Sequence, residues 1–410
     1  MIDITPIMKH IIILGDGMAD EPIDNLGGKT PLEVAETPSM DYLARNGQLG
    51  MLKTVPDGYH PGSEIANLGV LGYDVSKVFE GRGSLEAASM GIDIKPDEMA
   101  MRCNLISIDS NGLIKNHSAG HISTDEATVL INFLQEQLGN DEVSFYPGVS
   151  YRHLLKIKNA DKHLDCTPPH DVPGTPYKEV LVKPLSDKAI HTATLINNLI
   201  LESQKLLSRH PINIRRIAEG KDPANSIWPW SPGYKPSMST LPQLFGIKNG
   251  CVISAVDLIR GIGIYAGLKP IMVDGATGLY DTNYEGKAKA AIDALRNGAD
   301  FIFIHVEASD EAGHEGNIDL KIRTIEYLSE RLIAPIITEI KKMDEPIAIA
   351  LLPDHPTPCR LKTHTSDPVP FVIVKPGQQP DGISTFSEIT AKDGSFGTLG
   401  TDEFIRLFLN

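Results

Sequence analysis

Three short segments each place carboxylates or imidazoles just beyond an apolar run: Asp16 in I-I-I-L-G-D-G, Asp310 and His314 in A-S-D-E-A-G-H, and Asp354-His355 in L-L-P-D-H-P. His364 follows in T-H-T-S-D, and Ser63 stands in P-G-S-E-I-A-N. Together they make seven candidate ligands, enough for two metal ions with a serine between them. Carboxylates mixed with imidazoles and no thiolate suit Mn²⁺, Zn²⁺ or Mg²⁺, and disfavour copper(I) or iron–sulfur chemistry. Two such ions clamp the attacking and leaving oxygens of an in-line phosphoryl displacement. Asp310 and His314, four apart, share one face of a helical turn, and Gly313 is expected to leave room beside an ion. Ser63 follows Pro61-Gly62 and opens a helical stretch, where neighbouring N–H groups can face a phosphoryl group. Taken singly, each feature has a plainer reading. Asp310 could cap a helix, Asp16-Gly17 could be a turn, and Ser63 could be an N-cap. Recurrence at three strand ends favours the site.

The elements that must position these residues are apolar runs separated by helical-period stretches, the pattern of a mostly parallel sheet flanked by helices. The runs 11–14, 251–255, 301–306, 347–352 and 370–374 read as buried strands, and 31–46, 283–297 and 318–342 as helices. In an open α/β sheet the chemistry gathers at the carboxyl ends of the strands. Residues 97–180 differ, alternating strand-like runs (101–108, 149–157) with polar turns and a proline cluster. The expectation is an α/β core over 1–95 and 190–410 interrupted by a smaller α+β domain over 96–189. The strip N-S-I-W-P-W-S-P-G-Y-K-P (225–236) is rich in Pro and Trp and reads as a loop or linker.

A chain of 410 residues is long for one domain. Its 41% hydrophobic and 22% charged residues are those of a soluble globular protein. Lys+Arg of 38 against Asp+Glu of 53 gives a net charge of −15, which argues against nucleic acid or an anionic membrane as partner. Cys103, Cys166, Cys251 and Cys359 form no C-x-x-C pair. No leader is evident and no segment reaches the roughly 18–20 apolar residues of a membrane span, so a cytoplasmic protein is expected.

The segments G-D-G-M-A-D (15–20), G-G-K-T-P-L-E (27–33), G-S-E-I-A-N-L-G-V-L-G-Y-D (62–74), G-A-T-G-L-Y-D-T (275–282), S-D-E-A-G-H (309–314), P-D-H-P-T-P-C (353–359) and H-T-S-D-P-V-P (364–370) resemble those of cofactor-independent phosphoglycerate mutases of the archaeal type, within the alkaline phosphatase superfamily. The likeness covers nearly the whole chain. It implies an alkaline-phosphatase-like core with two divalent ions, and an inserted domain that closes over a small phosphorylated substrate. By family pattern, Asp16, Ser63, Asp354 and His355 would hold one ion, and Asp310, His314 and His364 the other. Ser63 would be the nucleophile that becomes phosphoserine, taking the phosphoryl group from 3-phosphoglycerate and returning it to the 2-hydroxyl. Arg260, in A-V-D-L-I-R-G-I-G, would face that group. Arg82, between two glycines, and Arg152, in S-Y-R-H, are further anion-binding candidates.

Two departures bear on the substrate. Where archaeal mutases tend to carry R-x-A-G-R-I-S, this chain has His117-Ser118-Ala119-Gly120-His121-Ile122-Ser123. Where they tend to have an arginine before a Gly-rich turn, it has Trp228-Pro229-Trp230. Neutral His or Trp does not replace a bidentate guanidinium. His121 is therefore a candidate substrate contact, and the chain is also similar to a bacterial branch proposed to act as homoserine kinase. No G-x-x-x-x-G-K-[ST] loop accompanies that alternative.

Overall fold

The computed structural model describes residues 8–410, which form two compact units, 8–79 with 238–410 and 80–237. The first is built on an eight-stranded sheet in the order Lys269–Pro270, Gly250–Ile253, Phe301–Val306, Lys9–Gly15, Ile347–Leu352, Val369–Val374, Gln48–Leu52, Thr398–Leu399. The first five strands run parallel, and Val369–Val374 runs antiparallel to its neighbours. The central three are buried throughout, Lys9 at the start of one excepted, as strands covered on both faces are. Their register sets Gly15 beside Val306 and Leu14 beside Leu352. The residues that follow, Asp16, the 307–310 turn and Asp354, therefore leave the sheet at one edge.

Two expected helices are broken for identifiable reasons. The stretch 31–46 forms Pro31–Val34 and Pro38–Asn46, because Thr37 before Pro38 leaves helical backbone and Pro38 starts the second helix. The stretch 318–342 passes through a π-helical turn, Leu328–Ile333, between Ile318–Tyr327 and Ala334–Ile340. Pro335 lacks the N–H that an α-helical ladder needs there, and the wider turn accommodates it.

The second unit carries the strands Glu98–Ile108, Ile114–Asn116, Val143–Tyr146, Arg152–Lys158 and Ser226–Gly233. Here the sequence reading needs correction. The Trp-Pro strip is an edge strand, antiparallel to Glu98–Ile108, with Pro229 opposite Cys103. An edge position tolerates proline because one side of the strand has no ladder to complete. The helix Ile190–Leu207 packs on this strand, and Arg82–Ser89 packs on Glu98–Ile108. The unit therefore extends to 80–237, beyond the 96–189 expected.

His153 lies buried in that unit, its Nδ1 accepting the Gly148 N–H at 3.0 Å. Burial pushes its pKa down to about 3. A depressed histidine stabilises the fold fully above its unfolded pKa of about 6.5, and that stability drains as pH falls toward the folded value. At pH 5 the loss is about 2 kcal/mol. His153→Asn keeps an acceptor for Gly148 and cannot titrate. In urea unfolding between pH 7 and 5 it should lose less stability than the parent by about that amount. An unchanged pH slope would contradict this account of His153.

Candidate metal centre

The seven candidate residues come together in the first unit. Asp310 and His314 lie on the helix Ala308–Glu315, which starts directly after the Phe301–Val306 strand. Asp310, His314 and His364 present ligand atoms within 4.8 Å of one another, as do Asp16, Asp310 and His355. Ser63 is the first residue of the helix Ser63–Val70; the cap position belongs to Gly62. Its hydroxyl is thus not used as an N-cap, and Oγ lies 3.1 Å from His355 Nε2.

The proton positions follow from each ring's other nitrogen. His314 Nδ1 is 3.1 Å from the Lys362 carbonyl and His364 Nδ1 is 2.8 Å from the Pro61 carbonyl. A carbonyl only accepts, so both rings carry their proton on Nδ1 when neutral. Their Nε2 atoms converge at 2.9 Å, and reach Asp310 at 3.2 and 3.3 Å. His355 follows the same logic. Thr357 Oγ1 donates its one proton to Asp310 Oδ1 at 2.5 Å, so it accepts from His355 Nδ1 at 3.3 Å. The Nε2 lone pair of His355 then faces Ser63 Oγ, Asp16 and Asp354.

Electrostatics point the same way. Burial, then the Asp354 and Asp310 carboxylates, push the Asp16 carboxyl well above its usual range. Burial also pushes Asp310 up, but hydrogen bonds from His314 and His364 outweigh it and hold the group well below the usual range. The Asp310 hydrogen bond raises His314 to about 9, while burial lowers His355. Asp16 Oδ1 is buried with no hydrogen-bond partner among the described residues. Three carboxylates, three imidazole lone pairs and one unsatisfied oxygen converging in a buried space fit divalent cations.

Several residues that hold this arrangement were not singled out from sequence. Lys321, fully buried, donates to Ala19 O at 3.0 Å, Asp20 Oδ2 at 2.8 Å and Thr357 O at 2.8 Å, tying the Asp16 loop to the His355 loop. Asn67 Nδ2 donates to Asp354 Oδ2 at 2.9 Å. His305 lies 2.9 Å from Asp16 Oδ2, and burial lowers its pKa to about 3. A polar residue in the otherwise apolar F-I-F-I-H-V was the available signal. Gly313 has a different role from the one expected: a Cβ there would meet Thr357 O at 2.4 Å, so it makes room for the loop.

Arg260, on the helix Asp257–Tyr265, donates to Ala255 O at 2.9 Å and Ser254 O at 3.2 Å and pairs with Asp257. Arg82, Arg152 and His121 belong to the second unit. There Arg82 and Arg102 lie 5.9 and 5.1 Å from the Trp230 ring, with His170 at 5.4 Å. Arg102 was missed because it sits inside a predicted strand. The structure gives the Trp230 segment two guanidinium neighbours, where the sequence reading expected it to lose them. Arg152 is exposed beside Tyr151, and His121 is exposed on a left-handed turn. Trp228 is a core residue whose Nε1 donates to Thr167 O at 2.9 Å.

Thr357→Val keeps the shape of the side chain and removes the hydroxyl, whose proton orders Asp310 and whose oxygen orders His355. Loss of such a support to metal ligands typically lowers metal affinity by about 10–100-fold. Mn²⁺ titration by calorimetry should show that loss; parental affinity would contradict the role given to Thr357.

The family model described as 2,3-bisphosphoglycerate-independent phosphoglycerate mutase matches residues 44–213. A relative of that name from Methanosarcina barkeri is 50% identical over 404 residues, covering 98% of this chain and 99% of its own. A solved structure of a Pyrococcus horikoshii protein aligns with a TM-score of 0.83 at 28% identity, over 99% of this chain and 97% of the other. The cofactor-independent phosphoglycerate mutase of Thermoplasma acidophilum aligns with a TM-score of 0.67 at 25% identity, over 98% and 99%. With half its residues shared along the full length of such a relative, the chain belongs to the family of 2,3-bisphosphoglycerate-independent phosphoglycerate mutases.

Proposed function

We propose that the chain interconverts 3-phosphoglycerate and 2-phosphoglycerate through a phosphoserine at Ser63, without bisphosphoglycerate, as a cytoplasmic enzyme of glycolysis. The observation that carries this reading is the placement of Ser63 Oγ, on the first turn of a helix and 3.1 Å from His355 Nε2. The full-length relatives named as mutases support the choice of substrate.

In this reading Asp310, His314 and His364 hold one divalent ion, and Asp16, Asp354, His355 and Ser63 a second, each Mn²⁺, Zn²⁺ or Mg²⁺. Bound there, the ions would offset the carboxylates and the charge of the phosphoryl oxygens. Ser63 Oγ gives up its proton and attacks phosphorus as the bond to O3 of glycerate breaks, and O3 takes up that proton. The retained glycerate then turns, its 2-hydroxyl gives up its proton and attacks phosphorus, the bond to Oγ breaks, and Oγ takes that proton. N–H groups at the start of the Ser63–Val70 helix face the phosphoryl group in both transfers. Arg260 binds that group, its guanidinium held in place by the Ser254 and Ala255 carbonyls. Arg82, Arg152 and His121, all in the second unit, are proposed as anion-binding residues of that unit, where Arg102, paired with Glu86 beside Trp230, is a further guanidinium.

Ser63→Ala tests the relay. With Mn²⁺ and 3-phosphoglycerate, ³¹P NMR should show 2-phosphoglycerate from the parent and a loss on the order of a thousandfold or more in the variant. No phosphoprotein should be trapped from the variant. Parental turnover by Ser63→Ala would remove Ser63 from the mechanism. Phosphohomoserine formed by the parent from homoserine and ATP, with 3-phosphoglycerate untouched, would replace the mutase reading.

A further inference from the structure

Strand register carries a line of polar groups across the carboxyl edge of the first unit's sheet. Ile253 pairs with Ile304, and His305 with Leu14. Ser254, His305 and Asp16 therefore stand on three adjacent strands or the residues just beyond them. Along Phe301–Val306 the side chains alternate: Ile302, Ile304 and Val306 enter one core cluster, and His305 shares the opposite face with Phe301 and Phe303. It is the one polar side chain of that buried strand.

Both nitrogens of His305 are engaged. Nε2 lies 2.9 Å from Asp16 Oδ2, and Nδ1 lies 3.2 Å from Ser254 Oγ. Ser254 Oγ itself accepts the Val256 N–H at 3.0 Å. The Asp16 carboxylate only accepts at Oδ2, so the neutral ring donates from Nε2, and the Ser254 hydroxyl, which keeps a lone pair for the Val256 N–H, gives its single proton to Nδ1. Nδ1 is then the acceptor, and the ring's proton sits on Nε2, pointing at the carboxylate.

We propose that Ser254 and His305 form a relay that fixes His305 as its Nε2–H tautomer and thereby orients Asp16, with Oδ2 held and Oδ1 left for a cation. His305 is a positioning residue and not itself a ligand, although Asp16, His305 and Asp354 are close enough to suggest a third ligand group. The same turn presents the Ser254 and Ala255 carbonyls to Arg260 Nη1. One short segment thus aims a metal carboxylate and anchors the arginine proposed to bind the phosphoryl group. The inference rests on the reading that Asp16 helps to hold a divalent ion.

The test is Mn²⁺ titration of the full chain, by calorimetry and electron paramagnetic resonance, with ¹⁵N-histidine NMR of the unaltered protein. Ser254→Ala should weaken one of the two ions by about 10–100-fold and leave the other as in the parent. His305→Gln, whose amide can still donate to Asp16, should stay within a few fold of the parent, while His305→Leu should show the full loss. The NMR spectrum should place the His305 proton on Nε2. A proton on Nδ1, or a Ser254→Ala chain that binds both ions as the parent does, would overturn the relay. A parent that binds no Mn²⁺ would instead remove the metal reading on which it rests, a result separable from unaltered binding by the variant.

Discussion

Three carboxylates, Asp16, Asp310 and Asp354, are gathered in a buried space, and the first unit is organised around that fact. Like charges removed from water oppose one another strongly, and each carboxylate has lost most of its hydration. Asp16 bears the consequence most plainly, its carboxyl pushed up by burial and by its two neighbours. An arrangement of this kind persists only if surrounding groups over-determine it. Strand register supplies the first constraint, bringing the ends of three central strands level. Lys321 supplies the second by clasping the Ala19 and Thr357 carbonyls from the buried side. Thr357 supplies the third by giving its only proton to Asp310.

The histidines complete the balance in a directional way. Backbone carbonyls take the Nδ1 protons of His314 and His364, and Thr357 takes that of His355, so lone pairs and carboxylate oxygens face one another across the site. Positive charge from outside the chain is what such a geometry is suited to receive. The Asp310 hydrogen bond that raises His314 has a corollary: where the ring is protonated a cation must displace that proton from Nε2, so binding there weakens as pH falls.

Much of this was legible in the sequence, and the reason is physical. A buried parallel strand must be apolar throughout, so an Asp or His just past its end stands out, as at Asp16, Asp310 and Asp354. The supports were harder to see. Lys321 sits in an amphipathic helix where a lysine normally means solvent, and only tertiary packing shows it buried. Thr357 is inconspicuous between two prolines. The strand Ser226–Gly233 was hidden by prolines that an edge position tolerates, and Arg102 by a strand pattern that gave no hint of its Trp230 neighbour. His305 could have been found, because a histidine in the alternation of F-I-F-I-H-V has no packing reason to be there.

The central claim is that the converging carboxylates and imidazoles exist to hold two cations on either side of Ser63. Anomalous scattering from crystals grown with Mn²⁺ tests it most directly. Two peaks are expected, one within ligand distance of Asp310, His314 and His364, and one within ligand distance of Asp16 Oδ1, Asp354, His355 and Ser63 Oγ. A single peak, or peaks that leave Asp16 Oδ1 without a neighbour, would contradict the account.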